Sequence, residues 1–381
     1  MQRKRRKDSS EDIAEQVVQK MKRTKTTKDN SLDNKLLVPS GSTLFNLALS
    51  DSESGGWQVG KIVNIIGDSS SGKTFLALSC FAEMAQRKEF DNYAFIYDDV
   101  EAANEFNMKK LFGKASKRIV APCRIDVTHS ASRGREYLSK NSDTIQDFQS
   151  YIDGWLNDER PFVYVLDSLD ALASEEGLEK TDREIEARRA GKKISGTYGM
   201  EKAKKLSQIL RQIKSKIAKT ESLLIIISQT RDNIDPMSFT KKTRSGGRAL
   251  NFYCTHEVWT AVSKRIRKRN IQIGINCKVK ISKNKLTGKI REVEFPIYYD
   301  YGIDDIGSCI SWMVSEGFWK MKGRTIDAAY LDFQGTMEKL IKEVESNDLE
   351  QNLLPRLRGC IGHHWRKREE SLKLNRRSKY E

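Results

Sequence analysis

Eight consecutive residues, Gly67-Asp68-Ser69-Ser70-Ser71-Gly72-Lys73-Thr74, hold two glycines and end in an amine and a hydroxyl. The glycines allow a tight turn whose backbone N–H groups converge on one point. A helix starting near Lys73 directs its positive dipole end to the same place, which makes an anion site. Lys73 is then placed to reach β- and γ-phosphates. Thr74 offers its hydroxyl to Mg2+, a cation that keeps most of its waters and takes one or two protein oxygens. The pattern predicts a nucleoside triphosphate held across Gly67, Asp68, Ser69, Ser70, Ser71, Gly72, Lys73 and Thr74.

Two further groups complete such chemistry. The apolar run 162–166 ends in Asp167-Ser168, which presents Asp167 to the metal shell at the carboxyl edge of a strand. Hydrolysis also needs a group to orient water, and Asp98, Asp99 and Glu101 follow the apolar run 94–97. A third run, 223–228, delivers Gln229, an amide that can sense the γ-phosphate or simply end a strand.

These residues need strands to carry them. Apolar segments at 61–66, 94–98, 162–167, 223–228, 257–263, 276–283 and 290–297 alternate with mixed helical segments up to residue 300. That alternation predicts an α/β fold with a mostly parallel central sheet. The last three strands lack intervening helices, so that end of the sheet is expected to be antiparallel. Residues 1–35 are polar apart from Ile13, Val17, Val18 and Met21, which recur at helical spacing and predict a short amphipathic helix on a basic arm. A helix this short needs a core or a neighbouring subunit to dock on. Residues 36–303 form the predicted core, and 304–381 a small C-terminal domain with a basic tail.

Composition narrows the partners. The chain has 381 residues and a net charge of +16, from 68 Lys and Arg against 52 Asp and Glu. Its cations cluster at 3–7, 188–193, 241–248, 264–269 and 356–379, which points to an anionic polymer, nucleic acid first. Six scattered cysteines show no metal or disulfide spacing. The charged N-terminus has no secretory pattern and no run is long enough to span a membrane, so a cytoplasmic location is expected.

With these pieces in order, the chain resembles the RecA family of strand-exchange recombinases over about residues 38–320. The stretch from Ala94 through Asp99-Val100-Glu101 to Leu111-Phe112-Gly113 is similar to the family's strand, D-x-E and terminal glycine. The resemblance implies a RecA-like phosphate-loop ATPase core using ATP and Mg2+, with Glu101 as catalytic base; a shorter register gives that role to Asp99. It implies that Lys204, Ser207 and Arg211, which share a helix face, hold the backbone of single-stranded DNA.

The span from Gln229 to Gly246-Gly247-Arg248-Ala249-Leu250 resembles a second DNA-binding loop carrying Arg231, Met237, Phe239, Lys241, Lys242 and Arg244. Cations with an aromatic and a methionine suit sequence-independent binding of single strands, although the same stretch read alone is equally a solvated basic loop. Lys283-Asn284-Lys285 resembles an element whose lysines reach the ATP of the adjacent subunit, which makes Lys283 and Lys285 finger residues acting across a filament interface.

Departures from the family pattern are a basic insertion at 179–193, Met108 where an aromatic often faces the adenine, and a basic rather than acidic tail. They point to a divergent, bacteriophage-encoded member working in a bacterial cytoplasm. The expected function is ATP-dependent homologous pairing and strand exchange by a filament on single-stranded DNA. Its partners are a homologous duplex, further copies of the chain, and single-strand-binding and loader proteins. The alternatives are a regulator or mediator without strand exchange, and a hexameric helicase.

Overall fold

The apolar run 62–66 lies at the centre of a ten-stranded sheet in the computed structural model, which describes residues 35–126, 137–189, 200–232, 242–244, 247–346 and 353–376. The expected arm helix at Ile13, Val17, Val18 and Met21 lies outside the described residues.

In chain order, β1 (Leu37–Val38), α1 (Thr43–Ser50) and β2 (Trp57–Gln58) precede β3 (Lys61–Gly67) and α2 (Lys73–Met84). Then come β4 (Ala94–Asp99), α3 (Met108–Phe112), β5 (Ile119–Val120), the pair β6 (Cys123–Asp126) and β7 (Tyr137–Lys140), α4 (Ile145–Asn157) and β8 (Phe162–Asp167). Helices α5 (Glu175–Arg189) and α6 (Met200–Lys219) lead to β9 (Leu223–Asp232), β10 (Lys242–Arg244) and α7 (Gly247–Tyr253). Strands β11 (His256–Lys268), β12 (Ile271–Asn284), β13 (Glu292–Tyr298) and β14 (Gly302–Ile303) follow. The chain continues through α8 (Asp305–Ser315), β15 (Lys320–Lys322), β16 (Thr325–Ala328), β17 (Phe333–Thr336), α9 (Met337–Glu345) and α10 (Leu353–Ser371).

The sheet order is β14-β13-β12-β11-β3-β9-β8-β4-β5, with β10 beside β9. From β11 to β5 every neighbouring pair is parallel, and from β11 to β14 every pair is antiparallel, as the missing helices in the sequence led us to expect. Strand β11 stops pairing with β3 at Thr260 but continues with β12 to the Lys268–Ile271 pair, so a two-stranded ribbon extends past the expected strand ends.

One face of the parallel strands is covered by α4 and α6. Leu206, Ile209, Leu210, Ile213 and Ile217 recur at helical spacing and pack with Ile145, Phe148 and Ile152 over Tyr164, Leu166, Leu224 and Ile226. Thr144 fixes the start of α4: its hydroxyl accepts from Asp147 N at 3.0 Å, while Asp147 Oδ2 accepts from Thr144 N at 2.9 Å.

Part of the C-terminal segment is a docked helix. Residues beyond 356 were expected to act as a basic tail, yet α10 is docked by Trp365, which is 1% exposed and lies 5.7 Å from the Trp312 ring. Its arginines are committed within the chain: Arg356 to Asp332, Arg366 to Glu53 and Arg368 to Glu316, each at 3.0 Å, and Arg358 to Asp305 at 3.1 Å. The insertion is helical up to Arg189, and Arg183 pairs with Glu179 at 3.1 Å; Lys192 and Lys193 lie outside the described residues.

Candidate active site and nucleic-acid interface

Register puts the chemistry at one level. In the parallel ladder Gly67 lies opposite Gln229, and Asp99 opposite Asp167. The carboxyl ends of β3, β9, β8 and β4 therefore open into one cleft of about 470 Å³, lined by Ser69 through Phe75, Tyr97, Asp99, Glu101, Asp167 and Gln229. This is the edge of a parallel sheet at which ligands bind.

The loop needs both glycines. A Cβ at Gly67 would sit 2.5 Å from Ser71 Oγ and closer still to Thr260 Oγ1. Gly72 has φ +93°, and a Cβ there would lie 2.7 Å from Ile297 Cδ1. Lys73 opens α2, is 8% exposed, and donates from Nζ to the Asp68 carbonyl at 2.7 Å. Burial pulls its amine below the ordinary lysine value, while Asp167 and Glu101 push it back up.

Thr74 Oγ1 donates to Asp167 Oδ2 at 2.6 Å, and Tyr97 OH donates to the same oxygen at 3.2 Å. Burial raises the Asp167 carboxyl above the ordinary value, with the Glu101 charge adding to it against the Thr74 hydrogen bond. A hydroxyl and a carboxylate from two elements thus converge beside an anion cradle, and this donor set fits a divalent cation with a triphosphate.

The three carboxylates after β4 separate cleanly. Asp98 is fully buried on the opposite face, accepting from Ser142 N at 2.8 Å, Ser142 Oγ at 2.7 Å and Tyr164 OH at 2.6 Å. It is structural, and burial raises its carboxyl. Asp99 and Glu101 both line the cleft. Glu101 Oε1 accepts from Ser168 Oγ at 2.5 Å and from Gln229 Nε2 at 2.8 Å, so Gln229 and Glu101 are linked across β8. Asp99 Oδ2 instead accepts from Asn104 N at 3.2 Å.

Sequence reasoning overlooked Phe106, Asn104, Tyr299, Ile275 and Ile297, which also line the cleft. Phe106 packs edge-on against Phe75 at 5.4 Å, while Met108 accepts a long contact from Asn104. An aromatic thus faces the cleft two residues before the position where one was sought. Asp170 was missed too: its carboxylate accepts from Gln229 N at 2.7 Å and pairs with Arg231 at 3.2 Å.

The expected nucleic-acid residues that are described fall on α6, the β9–β10 ribbon and α7. Lys204 and Arg211 are exposed and Ser207 half-buried on α6, with Arg211 reaching Tyr253 OH at 3.5 Å. Arg231 and Lys242 lie on the β9–β10 ribbon with Arg244, and Gly247 and Arg248 start α7. Met237, Phe239, Lys241 and Gly246 lie outside the described residues. Lys283 and Lys285 do not line the cleft of their own chain. Their ammonium groups donate to the carbonyls of Asn251 and Phe252, and the Phe252 ring is 68% exposed.

Residues 162–304 match the RecA N-terminal domain family. The chain is 30% identical to Protein RecA of Bacteroides thetaiotaomicron over 295 residues, covering 77% of this chain and 78% of that protein. It is 28% identical to Protein RecA of Trichodesmium erythraeum over 313 residues, covering 81% and 76%, and 29% identical to that of Thermus aquaticus over 288 residues, covering 75% and 74%. With a relative 30% identical over 77% of this chain and 78% of its own length, the chain belongs to the RecA family.

Proposed function

We propose that the chain is an ATP-dependent recombinase that polymerises on single-stranded DNA, pairs it with a homologous duplex and exchanges strands. The observation that carries this reading is the Glu101–Gln229 hydrogen bond, because it joins the hydrolytic cleft to the residue just before the β9–β10 ribbon, which bears Arg231, Lys242 and Arg244.

In this reading the loop N–H groups and Lys73 bind the triphosphate, and Thr74 with Asp167 holds Mg2+. The metal, when bound, supplies charge neutralisation at the phosphates. Glu101 orients the attacking water and takes its proton, and Ser168 and Gln229 fix the carboxylate. Lys204, Ser207, Arg211 and the ribbon neutralise DNA phosphates. Lys283 and Lys285 serve the cleft of the next subunit, a role consistent with their absence from the lining of their own. Single-strand-binding and loader proteins, the docking of residues 1–35 on a neighbour, a small C-terminal domain at 304–381 and a bacteriophage origin with action in a bacterial cytoplasm belong to the same proposal. Among the described residues no helix is long and apolar enough to cross a membrane.

The test is ATP hydrolysis by the full chain with and without single-stranded DNA, alongside Lys73→Ala. DNA-stimulated turnover that disappears in the variant supports the reading. Turnover indifferent to DNA refutes the coupling.

A further inference from the structure

Two residues from the antiparallel half of the sheet reach the phosphate loop, Thr260 on β11 and Cys277 on β12. Thr260 lies opposite Gly67 in the last register pair that β11 makes with β3, and a Cβ at Gly67 would collide with its hydroxyl and carbonyl oxygens. Thr260 Oγ1 is 2.7 Å from Ser71 Oγ. Because Ser71 Oγ itself donates to Asp68 O at 2.8 Å, Thr260 is the donor to Ser71, with Ile66 O its more distant acceptor at 3.3 Å. The same Asp68 carbonyl accepts from Lys73 Nζ at 2.7 Å. A chain of hydrogen bonds therefore runs from β11 through Ser71 to the carbonyl on which Lys73 rests. From β12, Cys277 Sγ donates to Ser71 O at 3.2 Å. Burial pushes the Cys277 thiol up to about 12, so it keeps its proton at neutral pH. Both residues are buried, and neither lines the cleft.

We propose that Thr260 and Cys277 are positioning residues for nucleotide binding: they fix Ser71 by its side chain and by its carbonyl, and through Ser71 they hold the loop N–H groups and Lys73 in the arrangement that receives the phosphates. An anion cradle made of backbone donors works only if the donors are aimed before the ligand arrives, and the loop's own glycines leave it free to move. Two strands that belong to the rigid sheet remove that freedom. The two contributions are separable, because Thr260 acts on the Ser71 hydroxyl and Cys277 on the Ser71 backbone. A buried neutral hydrogen bond sets the scale at about two- to tenfold in affinity for Thr260, and the weaker thiol donor at about two- to fivefold for Cys277.

The proposal rests on the reading of the loop as a nucleotide site, and the test separates the two. Affinity for a fluorescent ATP analogue with Mg2+ is measured on the full chain. Thr260→Val keeps the shape of the side chain and leaves Ser71 bonded to Asp68 O, so it orphans no buried donor. It is expected to weaken the analogue about two- to tenfold, and Thr260→Ser, which keeps the hydroxyl, to restore most of that affinity. Cys277→Ala is expected to weaken it about two- to fivefold and Cys277→Ser to restore it. In a Ser71→Ala background Thr260→Val should have no further effect, because its partner atom is gone, whereas Cys277→Ala should keep its full effect on the backbone carbonyl. Unchanged affinity in Thr260→Val and Cys277→Ala overturns the proposal. So does an equal loss in each variant and its hydroxyl-bearing counterpart, which would mark a packing role, or an equal effect of Thr260→Val in both backgrounds. If the unmodified protein does not bind the analogue, the nucleotide reading itself is refuted and the proposal falls with it.

Discussion

Three carboxylates in four residues, Asp98, Asp99 and Glu101, should respond to removal of charge in three different ways. Glu101→Gln keeps the shape of the side chain but removes the carboxylate assigned as base, so single-turnover hydrolysis with saturating DNA should fall by about 10²–10⁴, or roughly 3–5 kcal/mol in the barrier. ATP-analogue affinity should be retained, since Glu101 bonds Ser168 and Gln229 rather than the loop. Asp99→Asn disturbs one 3.2 Å contact with a backbone N–H and should cost less than about tenfold. Asp98→Asn leaves the cleft untouched but presents an amide to three buried donors, from Ser142 N, Ser142 Oγ and Tyr164 OH. One carbonyl oxygen cannot serve all three, so urea unfolding should show a loss of about 1–3 kcal/mol. Turnover within tenfold of the unmodified protein for Glu101→Gln, with a hundredfold loss for Asp99→Asn, would refute the assignment and move the base to Asp99.

Other consequences follow from the same geometry. Under the proposed trans role of Lys283 and Lys285, Lys73→Ala and Lys283→Ala/Lys285→Ala should each be inactive alone, while a mixture should regain DNA-dependent turnover; no recovery would remove the trans role. Replacing Lys204 and Arg211 together should lower the slope of log affinity for single-stranded DNA against log salt by about 1.4, at roughly 0.7 per phosphate, and an unchanged slope takes α6 out of the interface. Glu369 is partly buried, which would raise its carboxyl, but Arg291 at 2.5 Å and Lys289 at 3.1 Å hold it below the ordinary 4.5. Its contribution to stability is therefore full above about pH 4.5 and lost as pH falls through the lower folded value. Melting temperatures from pH 3 to 6 should converge for the unmodified protein and Glu369→Gln at the acid end; a constant gap would contradict the ion-pair account.

The cleft was legible where its signal is local. A phosphate loop is a contiguous backbone device, and apolar runs ending in Asp167 or Gln229 declare strands whose ends must share an edge if the strands are parallel. Strand parity also separates Asp98 from Asp99, because successive side chains on β4 point to opposite faces. Contacts between distant segments left no such mark. Arg366 meets Glu53 across more than 300 residues, so residues 356–371 of the segment that reads as a basic tail lie on a docked helix. Strands β15, β16 and β17 are three or four residues long, too short to establish a period of two. The cleft lining draws Phe106 from one loop and Tyr299 from beyond β13, and only the fold brings them to one cleft.

The central claim is that this single chain couples ATP to homologous pairing. It is tested most directly by incubating the protein, ATP and Mg2+ with a labelled single strand and a supercoiled duplex, and measuring joint molecules. Joint molecules that require homology, ATP and an intact Lys73 are the predicted result. DNA-stimulated hydrolysis with no joint molecules, from a homologous duplex under the same conditions, would contradict the claim.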